Sequence, residues 1–237
     1  MKTLTICIVI SVIILLLIYI FSRKPNIITI PKIIHQLAPA DKTKWHDVWY
    51  ECQNSWKSMY PNYKYILWTD EMMDDFMKKE FPKYYEMYKN YKAHINRVDA
   101  VRYFILYKYG GIYADMDMQV LNDFMPYIPQ NKVSMVESPY KYNENCQNSL
   151  MISPANHPFW KHVFDELVAS KDYTKILDVA GPRMIDRAMK GWNINVLSYH
   201  MYNPNKFIKL DDKSIKGLFT RHYGTSVYIP QTNKINT

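Results

Sequence analysis

The stretch INRVDAVRYFILYKYGGIYADMDMQV, residues 95–120, decides the fold of this chain. Its first part, Ile95 to Tyr109, is mostly apolar and contains no helix breaker, so it predicts a buried helix. Gly110 and Gly111 follow directly, and a glycine after the last helical residue is a common end of a helix. The residues that follow, IYADMDMQV, predict a strand. The connection from helix to strand is therefore only a glycine pair long.

Two carboxylates, Asp115 and Asp117, alternate with apolar residues in the predicted strand. Alternate residues of an extended chain point the same way, so both carboxylates would face one side. They would repel each other unless a cation lay between them, and hard oxygen ligands of this kind favour Mg²⁺ or Mn²⁺. The alternative interpretation is that the two acids only leave the strand for solvent, as matches to a motif this short often do.

A second charged pair, Asp99 and Arg102, lies on the predicted helix just before the acidic strand. The two residues are three positions apart and therefore share a helix face. They could be an ordinary local ion pair, which contributes little at a surface. Because the helix is otherwise apolar and leads through a tight turn to the acidic strand, we expect both charged pairs around one cleft at the carboxyl end of a parallel sheet.

The segment before this helix indicates the fold class. KIIHQ (32–36) predicts a short buried strand, residues 41–59 a helix with apolar residues at steps of three and four, and YKYILW (63–68) a second strand. This order indicates a βαβ unit and an α/β fold with a parallel sheet. No linker divides the chain after its amino-terminal segment, so we predict a membrane anchor at residues 1–24 and a single domain at residues 25–237.

The anchor prediction rests on the uncharged, apolar run from Leu4 to Phe21. Its 18 residues are long enough to span a bilayer, and Lys2 and Arg23 flank them. A cleaved signal peptide is the alternative, but the run is longer than the usual apolar region of a signal peptide, and the following FSRKPN offers no small-residue cleavage site. The flanking positive charges mildly favour a cytosolic body.

Composition excludes some classes of protein and leaves others open. The chain has 237 residues, of which 48% are hydrophobic, so it can bury a substantial core and disorder is not expected. The net charge of +8 is spread along the chain without a Lys/Arg run, which disfavours nucleic-acid binding and suits an anionic small substrate or a membrane surface. Cys52 and Cys146 could form a disulfide, but two buried thiols are favoured.

Residues 95–117 resemble the core signature of the glycosyltransferases with a DXD sugar-binding region. The resemblance is to glycosyltransferase family 32 in particular, which includes yeast-type initiating α-1,6-mannosyltransferases and mannosyl inositol-phosphoceramide synthases. The glucosylating domains of large clostridial toxins are also similar. IPKIIHQ (30–36), SWKSMYPNYKYILWTDE (55–71) and NSLMISPANHPFW (148–160) resemble other family segments in the same order. The resemblance implies a GT-A fold, which is a Rossmann-like domain that binds nucleotide sugars.

The resemblance also implies a metal site. Asp115 and Asp117 would bind a divalent cation, Mn²⁺ or Mg²⁺, that bridges to the donor diphosphate, and these two residues would be the catalytic core. His222, in the late segment TRHYGTSVY (220–228), is similar to a histidine that helps to close the metal and diphosphate site in such enzymes. Ser226 stands near a serine that often follows it.

Further roles follow from the same resemblance. Asp99 and Arg102 would hydrogen-bond the hydroxyls of the donor sugar, and His35 and Gln36 would contact its nucleotide. The chain departs from the family pattern at two positions. Ala38 stands where relatives commonly have an aromatic residue, and a valine at position 227 stands where they often have tryptophan.

The activity that the resemblance implies is that of a membrane-anchored, metal-dependent, retaining glycosyltransferase. Such an enzyme would move a hexose, with mannose as the first choice, from GDP-mannose or a UDP-hexose to a glycan or glycolipid acceptor. The resemblance implies a Golgi or ER type of membrane and a type II orientation, in which the body of the protein is lumenal. This orientation conflicts with the cytosolic body that the flanking charges favour. Two alternatives stay open: a catalytically weakened protein that binds nucleotide sugars, and a metal-dependent phosphotransferase.

Overall fold

A computed structural model describes residue 13 and residues 28–139, 144–203 and 219–225. Apart from residue 13, the anchor predicted at residues 1–24 lies outside these ranges. Among the residues that the structure describes, no helix is both long enough and apolar enough to cross a membrane.

Strands and helices are interspersed along the described part of the chain, and three helices follow one another between β2 and β3. In chain order the strands are β1 (Ile33–Leu37), β2 (Lys64–Trp68), β3 (Gly111–Ala114), β4 (Met118–Val120), β5 (Ser134–Glu137), β6 (Cys146–Ser153), β7 (Asn195–Leu197) and β8 (Thr220–His222). The helices are α1 (Asp47–Met59), α2 (Asp70–Glu80), α3 (Pro82–Lys89), α4 (His94–Tyr109), α5 (Phe159–Ser170), α6 (Ile176–Val179), α7 (Pro182–Ala188) and α8 (Tyr199–Tyr202). Short 3₁₀ turns occur at Lys42–Lys44 and Met125–Tyr127.

The larger sheet has six strands in the order β2-β1-β3-β6-β5-β7. β1 pairs in parallel with β2 and β3, as the predicted βαβ unit requires. β6 runs antiparallel to both β3 and β5, while β5 and β7 are parallel. The α/β prediction is therefore confirmed, but the sheet is mixed and only its β2, β1 and β3 half is continuously parallel.

The long helix α4 is buried along most of its length, as its apolar sequence predicts. Phe104 stacks on Phe164 of α5 with ring centroids 4.1 Å apart, and Tyr103 stacks on Trp160 at 5.9 Å. Offset aromatic pairs of this kind stabilise a fold beyond the area that they bury. Packing therefore holds α4 in place, and with it Asp99 and Arg102 in the middle of the helix.

The glycine pair between α4 and β3 is required by the backbone. Gly110 (φ 61°) donates its N–H to the carbonyl of Leu106 at 2.9 Å and ends the helix, and Gly111 has φ 92°. A Cβ added at Gly111 would lie 2.4 Å from the carbonyl oxygen of Ile33 in β1. Only glycine combines a positive φ with so close an approach to the neighbouring strand.

The replacement Gly111→Ala is expected to lower the free energy of unfolding by about 2–4 kcal/mol, because backbone strain and a collision with β1 add together. Gly191→Ala is the matched control, since Gly191 has φ 81° but nothing within 4 Å of an added Cβ. The control should therefore lose only about 1 kcal/mol. Urea denaturation of both variants measures the difference, and equal losses would contradict the close contact at Gly111.

The acidic stretch does not continue as one strand, and that part of the sequence prediction is wrong. β3 ends at Ala114, and the N–H of Met118 donates to the carbonyl of Asp115 at 3.0 Å, which makes a turn between Asp115 and Asp117. β4 leaves the large sheet and pairs antiparallel with β8, with Met118 opposite His222. The turn, not strand alternation, directs both carboxylates to one place, and the pairing brings His222 beside them.

Candidate active site

A cavity of about 270 Å³ opens at the carboxyl end of β3. Its polar lining includes the residues of both predicted charged pairs and the predicted histidine: Asp99, Arg102, Asp115, Asp117 and His222. Apolar side chains form the rest of the wall, among them Leu37, Trp49, Ile95, Val98, Met116, Leu177 and Pro182. The structure thus brings together in one cleft five of the seven residues that the sequence analysis assigned to the site.

Arg102 is a buried cation that joins the two charged pairs. Its Nη2 lies 2.9 Å from Oδ1 of Asp99, and its Nη1 lies 3.0 Å from Oδ1 of Asp115. The remaining hydrogen bonds go to the carbonyls of Asn148 (2.9 Å) and Val98 (3.2 Å). Only 3% of the surface of Arg102 is exposed. Its pair with Asp99 is therefore not a weak ion pair at the surface, which was the alternative interpretation of the sequence.

The pKa values reflect how strongly this cluster is removed from water. Burial raises the pKa of Asp99 to about 6, although Arg102 opposes the rise. Partial burial likewise raises the pKa of Asp115 against the effect of Arg102. Burial would lower the pKa of Arg102, but Tyr113 and the two carboxylates outweigh it and raise this pKa, so the guanidinium stays charged.

Two uncharged residues that the sequence analysis did not assign to the site hold these carboxylates. The hydroxyl of Tyr113 donates to Oδ1 of Asp115 at 2.6 Å. The amide of Asn148 donates to Oδ1 of Asp99 at 3.0 Å and to the hydroxyl of Tyr103 at 2.9 Å. Tyr113 stands two positions before Asp115, a spacing that could have indicated it, whereas Asn148 comes from the distant strand β6.

The late segment of the chain closes the site over Asp117. Nε2 of His222 lies 3.2 Å from Oδ1 of Asp117. The other oxygen, Oδ2, accepts hydrogen bonds from the backbone N–H (2.6 Å) and the hydroxyl (3.0 Å) of Thr225. The indole N–H of Trp49 donates to the Thr225 hydroxyl at 3.2 Å. Each oxygen of this carboxylate therefore has its own fixed partner.

The pKa of Asp117 is lowered and that of His222 is raised, because the two side chains interact. Burial would raise the pKa of Asp117, but the charge and hydrogen bond of His222 and the hydrogen bonds from Thr225 hold it well below its usual range. Burial would lower the pKa of His222, but Asp117 and then Asp115 outweigh this effect and raise it. A carboxylate that stays charged and faces an imidazole is well suited to bind a cation.

One ligand atom from each of Asp115, Asp117 and His222 lies within 4.8 Å of the other two. A divalent metal binds oxygen and nitrogen ligands at about 2.0–2.2 Å, so ligands on opposite sides of an ion are about 4 Å apart. Small side-chain movements would therefore let all three contact one ion. Two carboxylates and one imidazole suit Mn²⁺ and also Mg²⁺, so the residues fit a divalent cation.

His35 and Gln36, which the resemblance assigned to the nucleotide, do not line the cavity. His35 is fully buried, accepts from the Trp68 indole at 3.1 Å, and its Nε2 lies 3.0 Å from the carbonyl of Gly110. Burial lowers its pKa to about 4, so the ring is neutral at physiological pH. Gln36 is also fully buried, and its amide donates to the carbonyl of Asp115 at 3.0 Å. His35 therefore supports the glycine pair and Gln36 supports the acidic turn, and neither residue lines the cavity.

Ala38, at the position where relatives commonly have an aromatic residue, is buried in a small apolar cluster with Trp45, Trp49 and Met116. Trp49 thus places an aromatic ring both beside Ala38 and on the cavity wall. Residues 226 and 227 lie outside the described ranges.

Cys52 and Cys146 are both buried free thiols, which confirms the interpretation that the sequence favoured. Burial raises the pKa of each thiol to about 12. Both cysteines therefore stay protonated and unreactive.

The α/β sheet, the acidic turn at the end of β3 and the buried Asp-Arg pair beside it form the arrangement that the resemblance to glycosyltransferases led us to expect. The family model described as a glycosyltransferase sugar-binding region containing a DXD motif matches residues 46–134. The chain belongs to the glycosyltransferases with this DXD-containing region, which confirms the predicted family.

Yeast proteins are among its relatives. The chain is 35% identical over 182 residues to the mannosyl phosphorylinositol ceramide synthase SUR1 of Saccharomyces cerevisiae, an alignment that covers 72% of this chain and 45% of that protein. It is 33% identical over 168 residues to inositol phosphoceramide mannosyltransferase 3 of Schizosaccharomyces pombe, covering 69% and 46%. The alignments thus span less than half the length of these curated relatives.

A solved structure supports the fold. The glycosyltransferase domain from the YGT toxin, in its ligand-free form, superposes with a TM-score of 0.54 at 8% identity, over 71% of this chain and 80% of that domain. This similarity agrees with the predicted GT-A fold.

Proposed function

We propose that this chain is a metal-dependent, retaining hexosyltransferase that moves mannose from a nucleotide sugar to a glycolipid or glycan. The curated relatives support the sugar and acceptor class, because their names describe mannose transfer to inositol phosphoceramide. The observation that carries the proposal is the convergence of Asp115, Asp117 and His222 on one point of the cavity that Asp99 and Arg102 also line. A cation site and a hydroxyl-binding site then lie within the reach of one donor molecule.

The acidic turn would hold the cation, and hydrogen bonds within the chain already fix the orientation of its two carboxylates. Tyr113 and Arg102 occupy one oxygen of Asp115, and Thr225 occupies one oxygen of Asp117. Each carboxylate is thereby held in one orientation before any ligand binds, which reduces the entropy lost on binding. A bound divalent cation would neutralise negative charge on the leaving nucleoside diphosphate.

The Asp99 and Arg102 pair would act on the sugar. The hydrogen-bonding groups of Arg102 are largely committed to Asp99, Asp115 and two backbone carbonyls. We therefore assign Arg102 mainly to holding the two carboxylates, and Asp99 to accepting a hydrogen bond from a sugar hydroxyl. Retention of configuration needs no dedicated base if the acceptor hydroxyl attacks on the leaving-group face and the diphosphate takes its proton.

The test is a donor screen with the full chain in detergent. GDP-mannose, UDP-glucose and UDP-galactose are each supplied with Mn²⁺ and an inositol phosphoceramide or glycan acceptor, and release of nucleoside diphosphate is measured. We expect turnover that EDTA abolishes and added Mn²⁺ restores. Absence of turnover with every donor, together with absence of metal-dependent nucleotide binding, would overturn the proposal.

The same screen separates the alternatives. Metal-dependent nucleotide binding without turnover would indicate a weakened binding protein, and transfer of phosphate instead of sugar would indicate a phosphotransferase.

The membrane anchor and the type II orientation remain predictions. Glycosylation sites introduced into the body of the protein would be modified in cells if the body is lumenal.

A further inference from the structure

His222 has a second hydrogen bond, on the side of the ring away from the acidic turn. Its Nδ1 lies 3.1 Å from Oδ1 of Asn203, whose surface is only 2% exposed. The Nδ2 group of Asn203 donates to Oε1 of Gln147 at 2.7 Å and lies 3.5 Å from the carbonyl oxygen of Glu137. Oε1 of Gln147 and the carbonyl oxygen of Glu137 are both acceptors, so the N–H₂ group of Asn203 faces them and its oxygen faces His222.

The network continues to a buried carboxylate. Nε2 of Gln147 donates to Oε1 of Glu144 at 3.2 Å, and the hydroxyl of Ser138 donates to the same oxygen at 2.9 Å. Glu144 is 6% exposed. We call Glu144, Gln147 and Asn203 the amide relay.

Oε1 of Glu144 accepts hydrogen bonds from both Gln147 and Ser138, and this sets the direction of the whole relay. Glu144 requires the N–H₂ group of Gln147, which leaves the oxygen of Gln147 for Asn203. Asn203 must then present its own oxygen to the ring. A ring nitrogen that faces an amide oxygen is stable only when it carries a proton.

We propose that the amide relay keeps a proton on Nδ1 of His222 and thereby directs Nε2 of the ring toward the cation at the acidic turn. The residues of the relay are positioning residues, and this role rests on the metal site of the proposed function. A neutral imidazole has one donor and one acceptor nitrogen, so a proton kept on Nδ1 leaves the lone pair on Nε2. Mutation of a residue that hydrogen-bonds to a metal ligand typically weakens metal binding by about 10–100-fold.

The first test is Mn²⁺ affinity, measured by the electron paramagnetic resonance signal of the free ion. Asn203→Leu removes the acceptor that faces Nδ1 and should weaken binding by about 10–100-fold. Asn203→Asp keeps an oxygen at that position and should lose less than Asn203→Leu. The control is Asn195→Leu, because Asn195 is a partly buried amide in β7 that donates to Ser134 at 3.0 Å and has no part in the relay. This control should leave the affinity unchanged.

A double-mutant cycle separates positioning from a general effect on the fold. In a His222→Gln background, Asn203→Leu should cause little further loss of Mn²⁺ affinity, because the residue that it positions is absent. A full additional loss in that background would overturn the proposal, and so would an unchanged affinity in the Asn203→Leu single variant.

The second test needs no metal. In ¹⁵N-histidine-labelled protein, Nδ1 of His222 should carry a slowly exchanging proton in the NMR spectrum, assigned by comparison with His222→Gln. Asn203→Leu should abolish this signal and Asn195→Leu should keep it. If the wild-type chain binds no Mn²⁺, the metal site of the proposed function fails, while this signal still decides the relay: its absence from the wild type overturns it.

Discussion

Replacement of Asp117 by asparagine is expected to lower kcat/KM for sugar transfer on the order of 10³-fold and to weaken Mn²⁺ binding. The low pKa of this carboxyl means that it is fully charged at physiological pH, and one of its oxygens belongs to the cation cluster. Asparagine keeps the shape of the side chain and its contact with Thr225 but removes the charge. Initial rates at saturating Mn²⁺, with GDP-mannose varied, measure the effect.

The matched control for this variant is Asp75→Asn, because Asp75 is an exposed acid of α2 that the cavity does not include. It changes the net charge of the chain equally and should leave kcat/KM within about twofold, as is usual for surface substitutions. Thermal unfolding of both variants should confirm that the fold is retained. If Asp117→Asn kept more than a tenth of the wild-type kcat/KM, the cation would not depend on this carboxylate.

Replacement of Arg102 by methionine is expected to lower the free energy of unfolding by about 3–5 kcal/mol. Methionine fills similar space, but Asp99 and Asp115 lose the cation that lies 2.9 and 3.0 Å from them. Uncompensated charges away from water are among the costliest defects in a folded protein. In a chain of this length the melting temperature should fall by about 10 °C, which differential scanning calorimetry can measure.

This loss should grow as pH rises. In the wild type, Arg102 opposes the burial that already raises the pKa of Asp99 to about 6. Without the guanidinium, the folded-state pKa rises further above the unfolded value. The folded protein then holds a proton that the unfolded chain releases, so stability falls with increasing pH. Arg102→Met should therefore differ more from the wild type at pH 8 than at pH 5.

A compensating variant tests the cause. Adding Asp99→Asn to Arg102→Met removes one of the unpaired charges and should recover part of the lost stability without restoring sugar transfer. If the double variant were as unstable as Arg102→Met, lost packing of the arginine side chain would explain the defect better than charge.

The sequence contained enough information for the central helix and its glycine turn. The apolar run of α4 and the positive-φ glycines act locally, so they can be predicted without knowledge of the rest of the molecule. The turn between Asp115 and Asp117 could not be predicted in this way. It exists because β4 pairs with β8, whose partner residues come from the far end of the chain.

The candidate site shows the same division. Both charged pairs come from one continuous motif and were predicted together. Asn203 and Thr225 contribute hydrogen bonds that depend on tertiary packing, and no local pattern marks either residue. His35 shows the opposite case: its place in a family motif indicated a ligand contact, but it lies beneath the turn, where its ring is bonded to Trp68 and the Gly110 carbonyl.

The pairing of β4 with β8 also has a consequence for how the protein matures. Thr225 is 108 positions beyond Asp117, and every strand of the larger sheet precedes residue 198. A ribosome would therefore synthesise all strands of the larger sheet before it makes β8, which brings His222 to the cation cluster. A growing chain can form the larger sheet early, yet it would remain unable to hold the ion until residues 220–225 emerge from the exit tunnel.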